Sequence, residues 1–478
     1  MTDDKRQDQE PAEEDLTPQQ REQEDQSFEL KYLSPLQKQV IDKLFWRLIV
    51  FIFILFLFSF LDRINIGFAG LTMVNDPDIG LTMTEFGLAA SLFYIAYVSF
   101  GVPSNMVLAR VGARRWIAII MVLWGIASTC TMFAWNATSL YVLRIFVGIT
   151  EAGFLPGILL YLTYWFPSHF RARANALFML AMPVTMAFGS IVSGYILQLD
   201  GVLELKGWQW LFFLEGFPCV ILGVMVWFML YDSPEKAKWL SDEEKQCLKE
   251  MMERDHLRLV QKEGPKATKA LEPHTPEETK SMLALVFTKT VIMYTLAYFF
   301  LCNALNVVNT WSPTIIKSFA GEASLAMIGF LAAIPQFCTI AMMVWWGRRS
   351  DRKHERKFHT WFPYLFAGIG WILATTDDMP ALQLIGVCMA SSGVFTAMAI
   401  FWTTPDQSID PKARAIGIAV INAVGNLGSA TGPFLVGFLY DLTGNFKIGM
   451  YTLVVALVLG IFTVIAIPMK QSRPMATP

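Results

Sequence analysis

Charge is scarce in this sequence. Of its 478 residues 16% are Asp, Glu, Lys or Arg, where a water-facing chain carries about 25%. With 54% hydrophobic residues and a mean hydropathy of +0.44, a soluble globular fold is excluded. Basic excess is also missing. The formal net charge is −2, which removes nucleic acid as a partner. Cysteine pairing is absent: Cys130, Cys219, Cys247, Cys302, Cys338 and Cys388 have no paired or metal-ligand spacing, so they read as small buried hydrophobes. There is no Gly-rich loop ending in GK[ST] and no G-x-S-x-G elbow. His354, Glu355 and His359 read HERKFH, one residue too long for a zincin helix. An enzyme, a metal and a bound cofactor are therefore not expected. Nor is a signal peptide: residues 1–29 hold eleven acidic and three basic residues with almost no apolar ones, a pattern read as a disordered, solvated tail.

What the chain does have is long apolar runs. A transmembrane helix needs about 20 mostly apolar residues. Such runs are expected near 45–72, 86–108, 116–135, 139–165, 174–198, 208–231, 286–309, 325–346, 361–376, 381–402, 415–439 and 448–469. The resulting plan is all-α. A tail (1–43) precedes a first six-helix half (44–231), a linker (232–284), a second half (285–470) and a short tail (471–478).

Basic residues orient these spans. With the tail in the cytoplasm, the external connections near 73–85, 136–138, 199–207, 310–324, 377–380 and 440–447 hold Lys206, Lys317 and Lys447, only 3 of the 38 Lys and Arg. The other side carries Arg110, Arg114 and Arg115; Arg171 and Arg173; the charged loop 232–284; Arg348 to Lys357; and Lys412 with Arg414. The positive-inside rule then puts both termini in the cytoplasm. A repeat is visible at a shift of 241: RARA at 171–174 against KARA at 412–415, Asp200 against Asp441, Lys206 against Lys447. An offset of six spans preserves orientation, so the halves are parallel repeats about an axis normal to the membrane.

Charge inside a bilayer costs roughly 2.5–3.5 kcal/mol per group, which makes it a functional hypothesis by default. The first half's spans contain Asp62, Arg63, Arg144, Glu151 and Glu215; the second half offers neutral Asn303, Asn306, Asn309, Gln336, Trp402, Asn422 and Asn426. Arg144 and Glu151 are seven apart, so they share a helix face about 10 Å apart along the axis. Arg63 and Arg144 fall at similar depth, with Glu151 nearer the middle. Guanidinium forks bind carboxylates bidentately, so these two read as an anion site; the alternative is that Asp62 pairs with one of them as internal glue. Glu151 reads as a proton carrier or as a permanent partner of Arg144, and Glu215 as structural. Tyr94 and Tyr97 share a face and either donate into a cavity or pack in the core. Asn303, Asn306 and Asn309 trace a polar stripe facing a partner helix or water. Asn422 and Asn426 share a face suited to interhelical bonds or to a cavity.

The resemblance to a known family rests on these same segments. Two parallel six-helix halves with the basic runs NMVLARVGARR and GRRSDRKHERK are similar to the major facilitator superfamily. FLDRINIGFA, LRIFVGITEAGFLPG and GWQWLFFLEGFP resemble its anion:cation symporter branch over nearly the whole chain. Ala109 stands where the superfamily usually has Asp, a departure shared by that branch, and Gln209 stands where the branch often has Arg. VGARRWIAIIMVLWGIAS, FRARANALFMLAMPVT, AIFWTTPDQSI and ARAIGIAVINA resemble members that carry 4-hydroxyphenylacetate.

The resemblance implies a twelve-helix proton-coupled symporter of a bacterial inner membrane. It would import an aromatic carboxylate, 4-hydroxyphenylacetate foremost, with the proton and the lipid bilayer as partners and the monomer as the usual state. Arg63 and Arg144 would bind carboxylate, Tyr97 and Asn422 would complete the site, and Asp62 and Glu151 would couple the proton. Trp402, Asn303 and Asn306 are candidates for the ring and its hydroxyl. Arg110, Gly112, Arg114, Asp351 and Arg352 belong to the gating loops. The rival substrates are sugar, tartrate-like or phthalate-like acids; the rival function is a membrane receptor or sensor, which would need an output domain that neither the tail nor the 232–284 loop is expected to supply.

Overall fold

The computed structural model describes residues 33–179, 181–263, 288–353, 355–409 and 414–468; among these every regular element is helical. The first half contains α1 (Pro35–Met73), α2 (Met83–Val111), α3 (Ala113–Phe133), α4 (Ala137–Trp165), α5 (Ser168–Met179), α6 (Ala181–Leu199) and α7 (Gly207–Met229). A further helix, α8 (Asp242–Glu263), lies in the linker. The second half contains α9 (Lys289–Phe319), α10 (Leu325–Lys353), α11 (Lys357–Ala374), α12 (Pro380–Phe401), α13 (Ile416–Thr443) and α14 (Lys447–Ala466).

Local chemistry sets the helix starts. Thr82 and Glu85 form a capping box at α2, as Asn136 and Ser139 do at α4, each satisfying backbone N–H groups that no helical carbonyl reaches. Ser34 and Gln37 do the same ahead of Pro35. That cap explains one departure from the sequence reading: α1 begins ten residues before the apolar run at 45, inside the stretch assigned to the tail, and passes through a π-turn at Phe45–Ile49.

Among the described residues, eleven helices are long and apolar enough to cross a membrane. The short run expected at 361–376 is α11, whose polar start (Lys357, His359) dilutes its hydropathy; it packs beside α12 and α14 as a twelfth member of the bundle. Helix α9 continues to Phe319, ten residues past the expected end, so Lys317 lies on a helix rather than in a loop. The linker is a second correction. Its described part holds α8, fastened by Lys43 Nζ to Glu244 at 2.8 Å and by the amide of Ser168 donating to Asp255 at 2.9 Å. Charged residues at helical spacing hid this element because it has little apolar stripe to read.

The halves meet through α1 with α9, α2 with α13 and α6 with α10. The last two pairs are equivalent under the repeat, as a two-fold axis between the halves requires. All three contacts tighten at the end away from the basic loops. There Asp441 accepts from the Thr84 amide at 2.7 Å, Lys317 Nζ donates to the Leu71 carbonyl at 2.8 Å, and Gly194 lies against Gly329, where a Cβ would sit 2.8 Å from the facing Cα. Toward the basic end the first half instead has its own apolar core, from Val40 to Leu248, to which no described residue of the second half contributes.

Candidate functional site

Arg63 and Glu151 come together in the middle of the first half. Arg63 Nε donates to Glu151 Oε1 at 3.1 Å, its Nη2 contacts the same oxygen, and Ser59 Oγ lies 3.4 Å from it. This corrects the sequence alternatives: Glu151 pairs across helices with Arg63, not along α4 with Arg144. Seven residues along one helix leave about 10 Å of rise between two side chains, whereas α1 brings Arg63 directly alongside.

Arg144 is 1% exposed, and its Nε and Nη1 have no hydrogen-bond partner. Its guanidinium lies over the Phe93 ring at 5.3 Å. Arg63 lies over the same ring at 5.7 Å and over Tyr97 at 5.0 Å. Phe93 therefore separates two guanidiniums and lends both its negative π face. The approach of α2 to α4 depends on Gly148, where any side chain would collide with the Phe93 carbonyl. Asp62 faces away from Arg63, accepting from Asn65 Nδ2 at 2.9 Å and from Ser128 Oγ, so it is not the direct partner of either arginine. Glu215 is buried and accepts from Ser193 Oγ at 2.7 Å.

Aromatic rings supply the second half's share. Tyr298 stacks on Phe401 at 5.3 Å and meets Trp402 edge-on at 4.9 Å, and it lies within electrostatic range of Tyr97 across the interface. Trp402 is thus joined to the site through Tyr298, on its basic-end side. The asparagine stripe is directed elsewhere. Asn303 Nδ2 donates to Thr431 Oγ1 at 2.9 Å, and Asn306 Nδ2 to Ser429 Oγ at 2.8 Å. Both tie α9 to α13, and Asn309 donates back to Asn306 at 3.4 Å; a buried amide needs partners, and the facing helix provides them. Asn422 is exposed, with its side-chain oxygen taken by Asn426 Nδ2 at 2.7 Å.

The gating candidates sit at the basic end. Gly112 turns between α2 and α3 at φ +91°, a region that disfavours a Cβ. Arg114 reaches Asp232 at 3.4 Å and the Trp227 carbonyl. Asp351 pairs locally with Arg356 at 2.8 Å, while Arg110 and Arg352 are exposed. Lys412 lies outside the described residues. Sequence reading missed Phe93, Ser59, Ser128 and Tyr298. Phe93 and Ser59 each sit one helical turn before a predicted site residue, Tyr97 and Arg63, and that spacing was the available signal.

Two helical halves pressed together at one end, with charge and aromatic rings between them, define a membrane transporter of small organic substrates rather than an enzyme. The Major Facilitator Superfamily model matches residues 51–433, and the chain belongs to that family. It is 40% identical over 441 residues to a protein of Agrobacterium vitis named "Putative tartrate transporter", covering 92% of this chain and 97% of the relative. It is 34% identical over 437 residues to the "Quinolone resistance transporter" of Acinetobacter baumannii, covering 91% of this chain and 96% of the relative. Among solved structures it resembles a bacterial homolog of the human lysosomal transporter Spinster, with a TM-score of 0.67 at 16% identity, covering 90% of this chain and 97% of that one.

Proposed function

We propose that this protein is a proton-coupled symporter that imports an organic monoanion, an aromatic carboxylate of the 4-hydroxyphenylacetate type, by alternating access. The observation that carries this reading is Arg144, a buried guanidinium with two unpartnered N–H donors beside a second guanidinium and a wall of rings. An unsatisfied buried charge is costly unless something binds it, and a planar carboxylate is the complement of that fork. Phe93, Tyr97, Tyr298 and Trp402 offer the apolar, polarisable surroundings an aromatic ring prefers.

The coupling follows from competition for Arg63. Glu151 occupies Arg63 in this structure. A substrate carboxylate arriving at Arg63 displaces Glu151, and a displaced carboxylate out of water takes up a proton. Anion and proton binding are then linked, each promoting the other. A monoanion entering with one proton moves no net charge, so a pH gradient drives uptake without opposition from the membrane potential. With the basic end in the cytoplasm of a bacterial inner membrane, as the distribution of Lys and Arg favours, the halves are closed on the outside and parted within.

The second reading is a hydrophilic acid, favoured by the 40% identity to the relative named for tartrate. Uptake of labelled 4-hydroxyphenylacetate into vesicles, with tartrate as competitor, separates the two. Weak competition by tartrate supports the aromatic reading; competition at equal strength replaces it with the hydrophilic one. A pH gradient that leaves uptake of either acid unchanged removes the symport reading.

A further inference from the structure

The first half's membrane interior holds three carboxyls, Asp62, Glu151 and Glu215, each 1% exposed. It holds two guanidiniums, Arg63 and Arg144, so one carboxyl has no counter-charge. A charge left bare in a bilayer is costly, so the empty transporter is expected to keep one proton in this cluster. The hydrogen bonds locate it. Glu151 is ion-paired to Arg63. Asp62 Oδ1 accepts from both Ser128 and Asn65 while its Oδ2 is buried without a partner. Glu215 accepts only from Ser193, and its Oε2 is buried without a partner.

Asp62 and Glu215 are electrostatic neighbours. Ser128, which donates to Asp62, also lies against α7 beside Glu215: a Cβ on Gly216 would sit 3.1 Å from its Oγ. The groups facing Glu215 are Ser193 from α6, Asp62 from α1 and Cys219 on its own helix, with Ser128 and Thr129 of α3 packed against the adjoining Gly216. No cation among the described residues is within ion-pair distance of it. Helix rise sets the depths. Measured from the helix ends away from the basic loops, Glu151 lies about 21 Å in, Asp62 about 16 Å and Glu215 about 12 Å, a staircase of carboxyls climbing away from the Arg63–Glu151 pair.

We propose that Glu215 is a third proton-coupling residue, which shares one exchangeable proton with Asp62 behind the substrate site. The step balances simply: the proton leaves a Glu215 carboxyl oxygen, an Asp62 oxygen gains it, and one of the two is ionised at a time, so the pair titrates as a unit. Glu215 touches neither substrate nor Arg63; it acts through Asp62. This inference rests on the symport reading above.

The test uses the purified full-length protein in liposomes with labelled 4-hydroxyphenylacetate, or tartrate where the wild type prefers it. An inward gradient of one pH unit supports about tenfold accumulation for electroneutral one-proton symport. Glu215→Gln preserves size and the bond from Ser193 but cannot titrate. It is expected to exchange substrate across the membrane at the wild-type rate, to lose most of that accumulation, and to show a flatter pH dependence of exchange. Glu215→Asp should restore part of the accumulation. The carboxylic-acid C=O infrared band of the empty protein should weaken in Glu215→Gln. Full accumulation by Glu215→Gln, or an unchanged infrared band, overturns the proposal. Loss of exchange together with accumulation, in a variant that inserts normally, assigns Glu215 to structure and also overturns it. Failure of the wild type to accumulate either acid sinks the symport reading instead, and the infrared band alone then decides whether Glu215 holds a proton.

Discussion

Lys206 and Lys447 stand at matching positions, each ahead of the last span of its half, and each bridges to an acid on a neighbouring loop: Lys206 to Asp76 and Asp78, Lys447 to Asp377. The repeat has kept the lysine but not its partner: Asp76 and Asp78 lie on the loop after the first span of their half, Asp377 on the loop after the third span of its half. Deeper in the membrane the halves diverge. The first half buries Asp62, Arg144, Glu151 and Glu215 and half-buries Arg63; the second answers with asparagines bonded between α9 and α13 and with the ring cluster of Tyr298, Phe401 and Trp402. One scaffold thus carries two chemistries: buried charge in the first half, interhelical amides and packed rings in the second. Duplication explains the scaffold. The functional reading explains why only one copy bears the cost of buried charge.

The sharpest way to break that comparison is to remove the guanidinium fork. Arg63→Lys and Arg144→Lys keep a positive charge but lose bidentate geometry. Each should insert normally yet weaken substrate binding by about 30- to 100-fold, the equivalent of about 2–3 kcal/mol of charge-assisted hydrogen bonding. Labelled-substrate binding to the purified variants measures this; near-normal affinity in both would remove the anion site. Asn306→Ala probes the other half. It should lower thermal stability by about 0.6–2 kcal/mol through lost interhelical bonding, with substrate affinity changed little. A large loss of affinity without loss of stability would return Asn306 to the binding site.

A smaller effect distinguishes the two brackets. Asp76 is nearly buried while Asp377 is exposed. Burial works against the Asp76 carboxylate, yet the Lys206 ammonium, Trp208 Nε1 and the Asp78 amide hold its pKa below the ordinary carboxylate value. A depressed folded-state pKa stabilises above the unfolded value, and that contribution is lost as pH falls through the folded one. Lys206→Met should therefore destabilise the protein by up to about 1 kcal/mol at neutral pH, with the difference from wild type shrinking in acid. Lys447→Met should change less. Thermal unfolding of both variants across the acid range checks the order.

Much of this architecture was legible in the chain because a bilayer imposes coarse rules. Apolar runs of about 20 residues, basic loops on one side and an offset of 241 sufficed for two parallel halves. Arg63, Arg144, Glu151 and Tyr97 stood out because charge and hydroxyls are rare in such helices. Partner choice was less legible: the only partner that spacing offered Glu151 was Arg144 on its own helix, as the alternative to a proton-carrying role, whereas the tertiary approach of α1 pairs Glu151 with Arg63. The asparagine stripe of α9 was ambiguous for the same reason, since a polar face on one helix does not reveal whether water or Thr431 and Ser429 lie opposite. Helix α8 escaped notice because what holds it lies far off in sequence: Glu244 and Asp255 grip α1 and α5, more than 85 residues away, and Leu248 is buried in the first half's core.

The central claim is that the Arg63–Glu151 pair in the first half links substrate to proton. Glu151→Gln holds that side chain neutral whatever the pH. In liposomes with an inward gradient of one pH unit, the wild type should accumulate substrate about tenfold. Glu151→Gln should exchange substrate across the membrane but leave it at equilibrium. Full accumulation by Glu151→Gln against that gradient would contradict the account and pass the coupling role to Asp62.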